Sequence, residues 1–144
     1  MNSSGRQGRD FLLRVAAVSG AVVSLVALAV AASRQPDTRL VRARHDVASP
    51  SGRFVARVEV STDEHGLRTW RPVVLERSGA VVFRSDGVLV ERPAPRIVWE
   101  DDLDTLWIVS DDAGTAFVQE GLHGWTSTTL GSADDHLVPA GVRG

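Results

Sequence analysis

Six carboxylates crowd the stretch VWEDDLDTLWIVSDDAGTAF, residues 98–117: Glu100, Asp101, Asp102 and Asp104, then Asp111 and Asp112. Oxygen ligands at this density could hold a divalent cation, and paired carboxylates could divide acid and base roles. The spacing argues against both. A linear calcium loop supplies ligands at alternating positions. Asp102-x-Asp104 starts that series, but Leu106 interrupts it and no Glu closes it. The two clusters also flank the apolar run TLWIVS, which as a strand holds them roughly 17 Å apart. That is too far for one ion, and beyond the ~5–9.5 Å between glycosidase carboxylates. The clusters therefore read as two solvated turns, with no metal and no cofactor expected.

The four histidines, His45, His65, His123 and His136, offer a second chemistry. His45-Asp46 and Asp134-Asp135-His136 set imidazole beside carboxylate, the pairing that orients a catalytic base. No Gly-x-Ser-x-Gly elbow, His-Glu-x-x-His helix, glycine-rich phosphate loop or dinucleotide fingerprint accompanies them. The absence of Cys excludes disulfides, thiol catalysis and Cys-based zinc sites. No catalytic residue is assigned. Aromatic rings are the remaining candidates for contact with a ligand. Trp70, Trp107 and Trp125, stacked on a sheet face near Arg68 or Arg71, could take a sugar or a peptide. The competing reading places the tryptophans, with Trp99, in the core of a small domain that needs large side chains.

Short strands must position all of these residues. LVRARHDV (40–47) reads as a first, weak strand, and SPSG (49–52) as a turn. RFVARVEVS (53–61) alternates, with Phe54, Ala56, Val58 and Val60 on one face. TWRPVVLER (69–77) follows, and Pro72 within it predicts an edge strand or a bulge. Ser78-Gly79 turns the chain into AVVFR (80–84), and a short strand is expected at 88–91. A second meander comprises RIVWE (96–100), TLWIVS (105–110), TAFVQE (115–120) and WTSTTL (125–130). Residues 131–144 are polar and glycine-rich and read as a flexible tail. Strand 105–110 makes a specific demand. Leu106 and Ile108 point one way, Trp107 and Val109 the other, and both faces need cover.

The N-terminal third differs in texture. Residues 15–32, VAAVSGAVVSLVALAVAA, carry no charge, and as a helix they would rise roughly 27 Å, close to the ~30 Å hydrocarbon core. The leading reading is a transmembrane signal anchor over 11–33, after a cytoplasmic tail (1–10) and before a linker (34–39). Ala29-Val30-Ala31 also fits a signal-peptide cleavage site, which would release the domain. A buried core helix lacks support because the segment has no polar face. Arginines on both sides leave the positive-inside rule undecided. The short N-terminal tail ahead of a first apolar segment favours export, so the β domain over 40–130 is expected outside the cell membrane. Residues 1–44 hold seven Arg against two Asp, net +5, whereas residues 45–144 are net −7. An acidic domain argues against nucleic acid as partner, and the basic flanks suit anionic headgroups.

SPSGRFVARV (49–58) resembles the SPDGRYLA-type turn and strand of bacterial β-propeller repeats, through Ser49, Pro50, Gly52, Arg53 and Phe54, with Ser51 replacing the usual Asp. RIVWEDDLDTLWIVS (96–110) resembles the next repeat element, an apolar-aromatic strand, an acidic turn and a second apolar strand. The pattern is similar to that of small uncharacterised membrane-anchored bacterial proteins with one SPDG-type segment behind an N-terminal anchor. The resemblance implies blade geometry and no catalytic residues. A closed propeller takes at least four blades, and this chain has material for two at most. The expected fold is all-β: seven to eight short antiparallel strands, as one or two blade-like meanders packed as a small sandwich, behind an N-terminal helix. The expected function is a non-catalytic, membrane-anchored envelope binding or accessory module, with a protein or glycan partner. Two alternatives stand beside it: an envelope hydrolase using exposed carboxylates or histidines, and a structural partner in a larger β-assembly through an open sheet edge.

Overall fold

The computed structural model describes residues 37–143. The tail at 1–10, the apolar segment at 11–33 and residues 34–36 of the linker lie outside the described residues. In chain order the strands are β1 (Leu40–Val41), β2 (Val47–Ala48), β3 (Phe54–Thr62), β4 (Arg68–Glu76), β5 (Val81–Arg84), β6 (Leu89–Val90), β7 (Arg96–Trp99), β8 (Leu106–Ser110), β9 (Gly114–Gly121) and β10 (Gly124–Leu130). They form two antiparallel sheets, the first in the order β1-β7-β8-β9-β10 and the second in the order β2-β3-β4-β5, with β6 also paired to β4. The all-β sandwich read from the sequence is the observed architecture.

The alternation read on β3 holds: Phe54, Ala56 and Val58 are buried and Val60 half-buried. Their partners across the sandwich are Ile97, Trp99, Leu106, Ile108 and Val118 of the first sheet, which share one core with Trp70, Val74 and Leu89. Trp99 sits at its centre with no exposed surface, and its indole N–H donates to the Val47 carbonyl at 2.9 Å. That bond ties β7 to the opposite sheet. At one end of the core Trp125 stands edge-on to Phe54, ring centroids 4.8 Å apart, and the Arg53 guanidinium lies 4.7 Å above the Phe54 ring. Edge-to-face aromatic pairs add about 0.5–1.5 kcal/mol beyond their burial.

Three expectations change. Residues 40–47 are not one strand. The chain reverses at Arg42–His45, where the His45 N–H donates to the Arg42 carbonyl at 3.0 Å, so β1 joins the first sheet and β2 the second. Pro72 lies in a central strand rather than an edge, because β4 pairs with β3 on one side and with β5 and β6 on the other. The Ser85 N–H donates to the Pro72 carbonyl at 3.0 Å, so the proline nitrogen faces the same side, between the stretches paired with β5 and β6. The missing donor falls in that gap. The other branch of the expectation, a bulge, agrees with the pairing to β5, which shifts register at Val74/Leu75, two residues on.

The third change concerns residues 131–144. In place of a loose tail, the chain makes a 3₁₀ turn over Ser132–Leu137 and a helical turn over Ala140–Arg143. Val138 and Val142 come down on Val98 and Trp107, on the outer face of the first sheet. This is the second cover that β8 demands. The Arg39 and Arg96 guanidinium groups reach the Gly141 carbonyl at 3.5 and 3.4 Å. A Cβ on Gly141 would lie 3.1 Å from an Asp101 carboxylate oxygen, so the close approach favours glycine. Burying a valine side chain contributes about 1.5–3 kcal/mol. Val142→Asp places a charge there instead and is expected to lower unfolding stability by about 2–4 kcal/mol. The readouts are a lower urea midpoint and a red shift of tryptophan emission as Trp107 meets water. An unchanged midpoint would show that these residues do not cover the sheet.

Candidate functional site

The carboxylates of the opening stretch are placed by the β7–β8 and β8–β9 turns, and four of them bond within the domain. Asp104 accepts from the Ser51 N–H at 3.1 Å and the Ser51 hydroxyl at 2.5 Å. Glu100 accepts the Trp107 indole N–H at 2.9 Å. Asp101 pairs with Arg39, and Asp112 accepts from the Ser110 hydroxyl. Asp102 and Asp111 are exposed. The turns are thus fasteners more than solvated loops. Among the described residues, no three His, Cys, Asp or Glu side chains are placed to hold a metal ion.

The Asp104 contact joins the two segments that carry the propeller-like pattern. In the SPSG turn, the Gly52 N–H bonds to the Ser49 carbonyl at 2.8 Å and Gly52 adopts φ 72°, a left-handed conformation suited to glycine. Partial burial works against ionisation of Asp104. The hydrogen bonds from Ser51 and Ser49 and the charge of Arg53 outweigh it and hold the carboxyl below its usual range. The Arg57 hydrogen bond does the same for Asp46, and the Ser110 hydroxyl for Asp112.

The three candidate tryptophans do not share a surface. Trp70 faces the core, its indole N–H 3.1 Å from a Glu91 oxygen, and also walls a cleft of about 430 Å³ with Leu40, Ala94 and Pro95. Trp107 lies on the opposite face of the first sheet, against Phe117 at 5.3 Å. Trp125 is half-buried, and its indole nitrogen has no hydrogen-bond partner among the described residues. The histidines are likewise scattered. His65 and His123 are exposed in hairpin loops, His136 bonds to the Ala133 carbonyl at 3.0 Å, and His45 closes the Arg42–His45 reversal.

A surface that the sequence reading missed lies along β3. The Ser49 N–H donates to the Phe54 carbonyl at 2.9 Å, so the even-numbered residues of β3 turn their backbone groups toward β2. β2 pairs only with Val55 and Ala56. Beyond it, the N–H and C=O groups of Val58, Val60 and Thr62 meet no backbone partner among the described residues. Beside this edge runs a groove of about 940 Å³, walled by Ala43, Arg44, Val60, Thr62 and Arg68. Arg57 clamps the end of β2 with three bonds to Asp46, from Nε to both carboxylate oxygens at 3.0 and 3.1 Å and from Nη2 to one of them at 2.5 Å, and Arg68 pairs with Glu91 at 3.1 Å. Arg44 is exposed, makes no ion pair among the described residues, and holds φ 63°. The local pattern V-R-A-R-H alternates like a strand, and nothing in it marks Arg44 for a conformation that Gly or Asn usually fills.

The lowered carboxyls have a testable sign. A folded-state pKa below the unfolded value, about 3.9 for Asp, contributes stability that is present above that value. It is lost as pH falls through the lowered folded pKa. Acid unfolding should therefore steepen below about pH 4. Asp104→Asn is expected to lower stability at pH 7 by about 1 kcal/mol and to flatten the acid limb. Urea midpoints measured from pH 7 to pH 2.5 check both effects. A parallel shift at every pH would show that the Asp104 charge has no part in holding Ser51.

No protein-family model, no curated protein and no solved structure matches the chain.

Proposed function

We propose that the protein is a non-catalytic binding or accessory module of the bacterial cell envelope. Residues 11–33 attach it to the membrane, and the β domain works on the outer face. The observation that carries this reading is the edge of β3, where backbone donors and acceptors without a backbone partner among the described residues stand beside a groove of about 940 Å³. Such an edge is a contact surface by its chemistry: proteins cover, charge or shorten edges that are not used. The carboxylates with shifted ionisation support the same reading. They are shifted downward, by bonds that fasten turns and strands, whereas an acid catalyst needs a carboxyl shifted upward. The charge-free run at 15–32 and its flanking arginines support the membrane attachment. The edge strand β10, seven residues without a charge, favours a second reading as a component of a larger β-assembly.

Protease added to intact spheroplasts is expected to remove the β domain and leave an N-terminal fragment in the membrane fraction. Full protection would overturn the topology. For the non-catalytic part, a chain with His45, His65, His123 and His136 changed to Gln, and Asp102 and Asp111 to Asn, should complement a deletion strain fully. Lost complementation by a chain that is folded and correctly located would favour the envelope hydrolase.

A further inference from the structure

We propose that the β3 edge from Val58 to Thr62 takes an extended acidic peptide segment of a partner protein as an added antiparallel strand. The inference rests on the binding-module reading and names the partner's chemistry. The register is set by β2, whose Val47 lies opposite Ala56. A strand continuing β2 would meet the outward N–H and C=O groups of Val58, Val60 and Thr62, enough for about six residues of peptide. Among the described residues the chain does not take that course. It turns away at Arg42–His45 to enter the first sheet as β1, and the Asp46–Arg57 clamp marks where β2 stops.

The charge around the edge selects the partner. Arg57 is balanced by Asp46 and Arg68 by Glu91, which leaves Arg44 as the net charge of the groove. Residues 38–144 as a whole are net −4, with twelve Arg against sixteen acids. The groove is therefore a positive site on a negative domain, and an acidic strand gains there what it would lose by repulsion elsewhere. Half-buried Val60 and the neighbouring Ala43 add an apolar wall, so alternating small apolar and acidic side chains fit the site. The left-handed backbone of Arg44 belongs to the Arg42–His45 turn, where the third residue takes a positive φ, and leaves the Arg44 side chain exposed at the groove. The β10 edge is longer, but no charged group lies on it to say what would bind.

The test uses the full-length protein in detergent micelles and three dye-labelled octapeptides in which Val alternates with Glu, Gln or Lys. Fluorescence anisotropy should show the Glu peptide binding at least about five-fold tighter than the Gln peptide, and the Lys peptide weakest. N-methylating alternate residues in one frame should abolish binding, and in the other frame should leave it within about two-fold, because only one frame faces β3. Arg44→Gly, which suits φ 63°, should keep the urea midpoint or raise it while removing the preference for Glu over Gln. Equal binding of the three peptides, or no effect of N-methylation in either frame, would overturn the proposal. In cells, a photo-crosslinking residue at Thr62 should capture a protein through an acidic segment, and one at Thr128 on β10 should not. Capture from Thr128 alone would overturn the β3 assignment but leave the binding module standing, whereas capture from neither would overturn both. Lipid adducts or self-dimers from Thr62 would overturn it in favour of the membrane surface or a second copy.

Discussion

β8 is apolar on both faces, and a sheet with such a strand at its centre cannot leave either face wet. Leu106 and Ile108 commit the first sheet to packing on the second, while Trp107 and Val109 commit its back to a separate cover. Much of the domain follows from those two obligations. The facing sheet supplies one layer through Phe54, Ala56, Val58 and Val74. Residues 132–143 supply the other, although they are too short to form a layer unaided and depend on two valines and the Gly141 carbonyl for their hold. A sheet buried on both sides also explains why Trp107 needs Glu100. Its indole N–H would otherwise be withdrawn from water without an acceptor.

The acidic residues acquire a structural meaning in this setting. Turn carboxylates on an antiparallel sheet can stay in water, but here they reach neighbouring turns. Asp104 binds the SPSG turn of the second sheet, and Asp101 binds Arg39 at the start of the domain. Together with the Trp99 bond to Val47, these contacts cross between segments far apart in sequence. They fix the relative register of sheets whose hydrophobic contacts alone are non-directional.

Much of the fold was legible because it is written in local patterns. The alternation of β3, the Ser78-Gly79 turn and the four strands from 96 to 130 each depend on residues adjacent in sequence. What was not legible depends on partners. The strand pattern of residues 40–47 conceals a reversal whose tightest residue is an arginine, and Pro72 looks like an edge residue until β5 and β6 are seen to leave a gap beside it. The polar run after Leu130 hides two valines spaced to meet Val98 and Trp107. The candidate site shows the same limit. The tryptophans drew attention by residue type and proved to stand on separate faces. The β3 edge had no signature at all, because an unpaired edge is defined by where a neighbouring strand stops.

The Arg39–Gly141 contact has a further consequence. The described residues begin and end at one corner, with the first strand and last helical turn stapled to the same ion pair. A domain whose termini meet can be inserted into a loop of another protein without prising that loop apart, and its own loops become natural places to reopen the chain. For this fold the Leu122–His123 turn, exposed and flanked by glycines, is such a place. The sandwich is, in effect, a portable module.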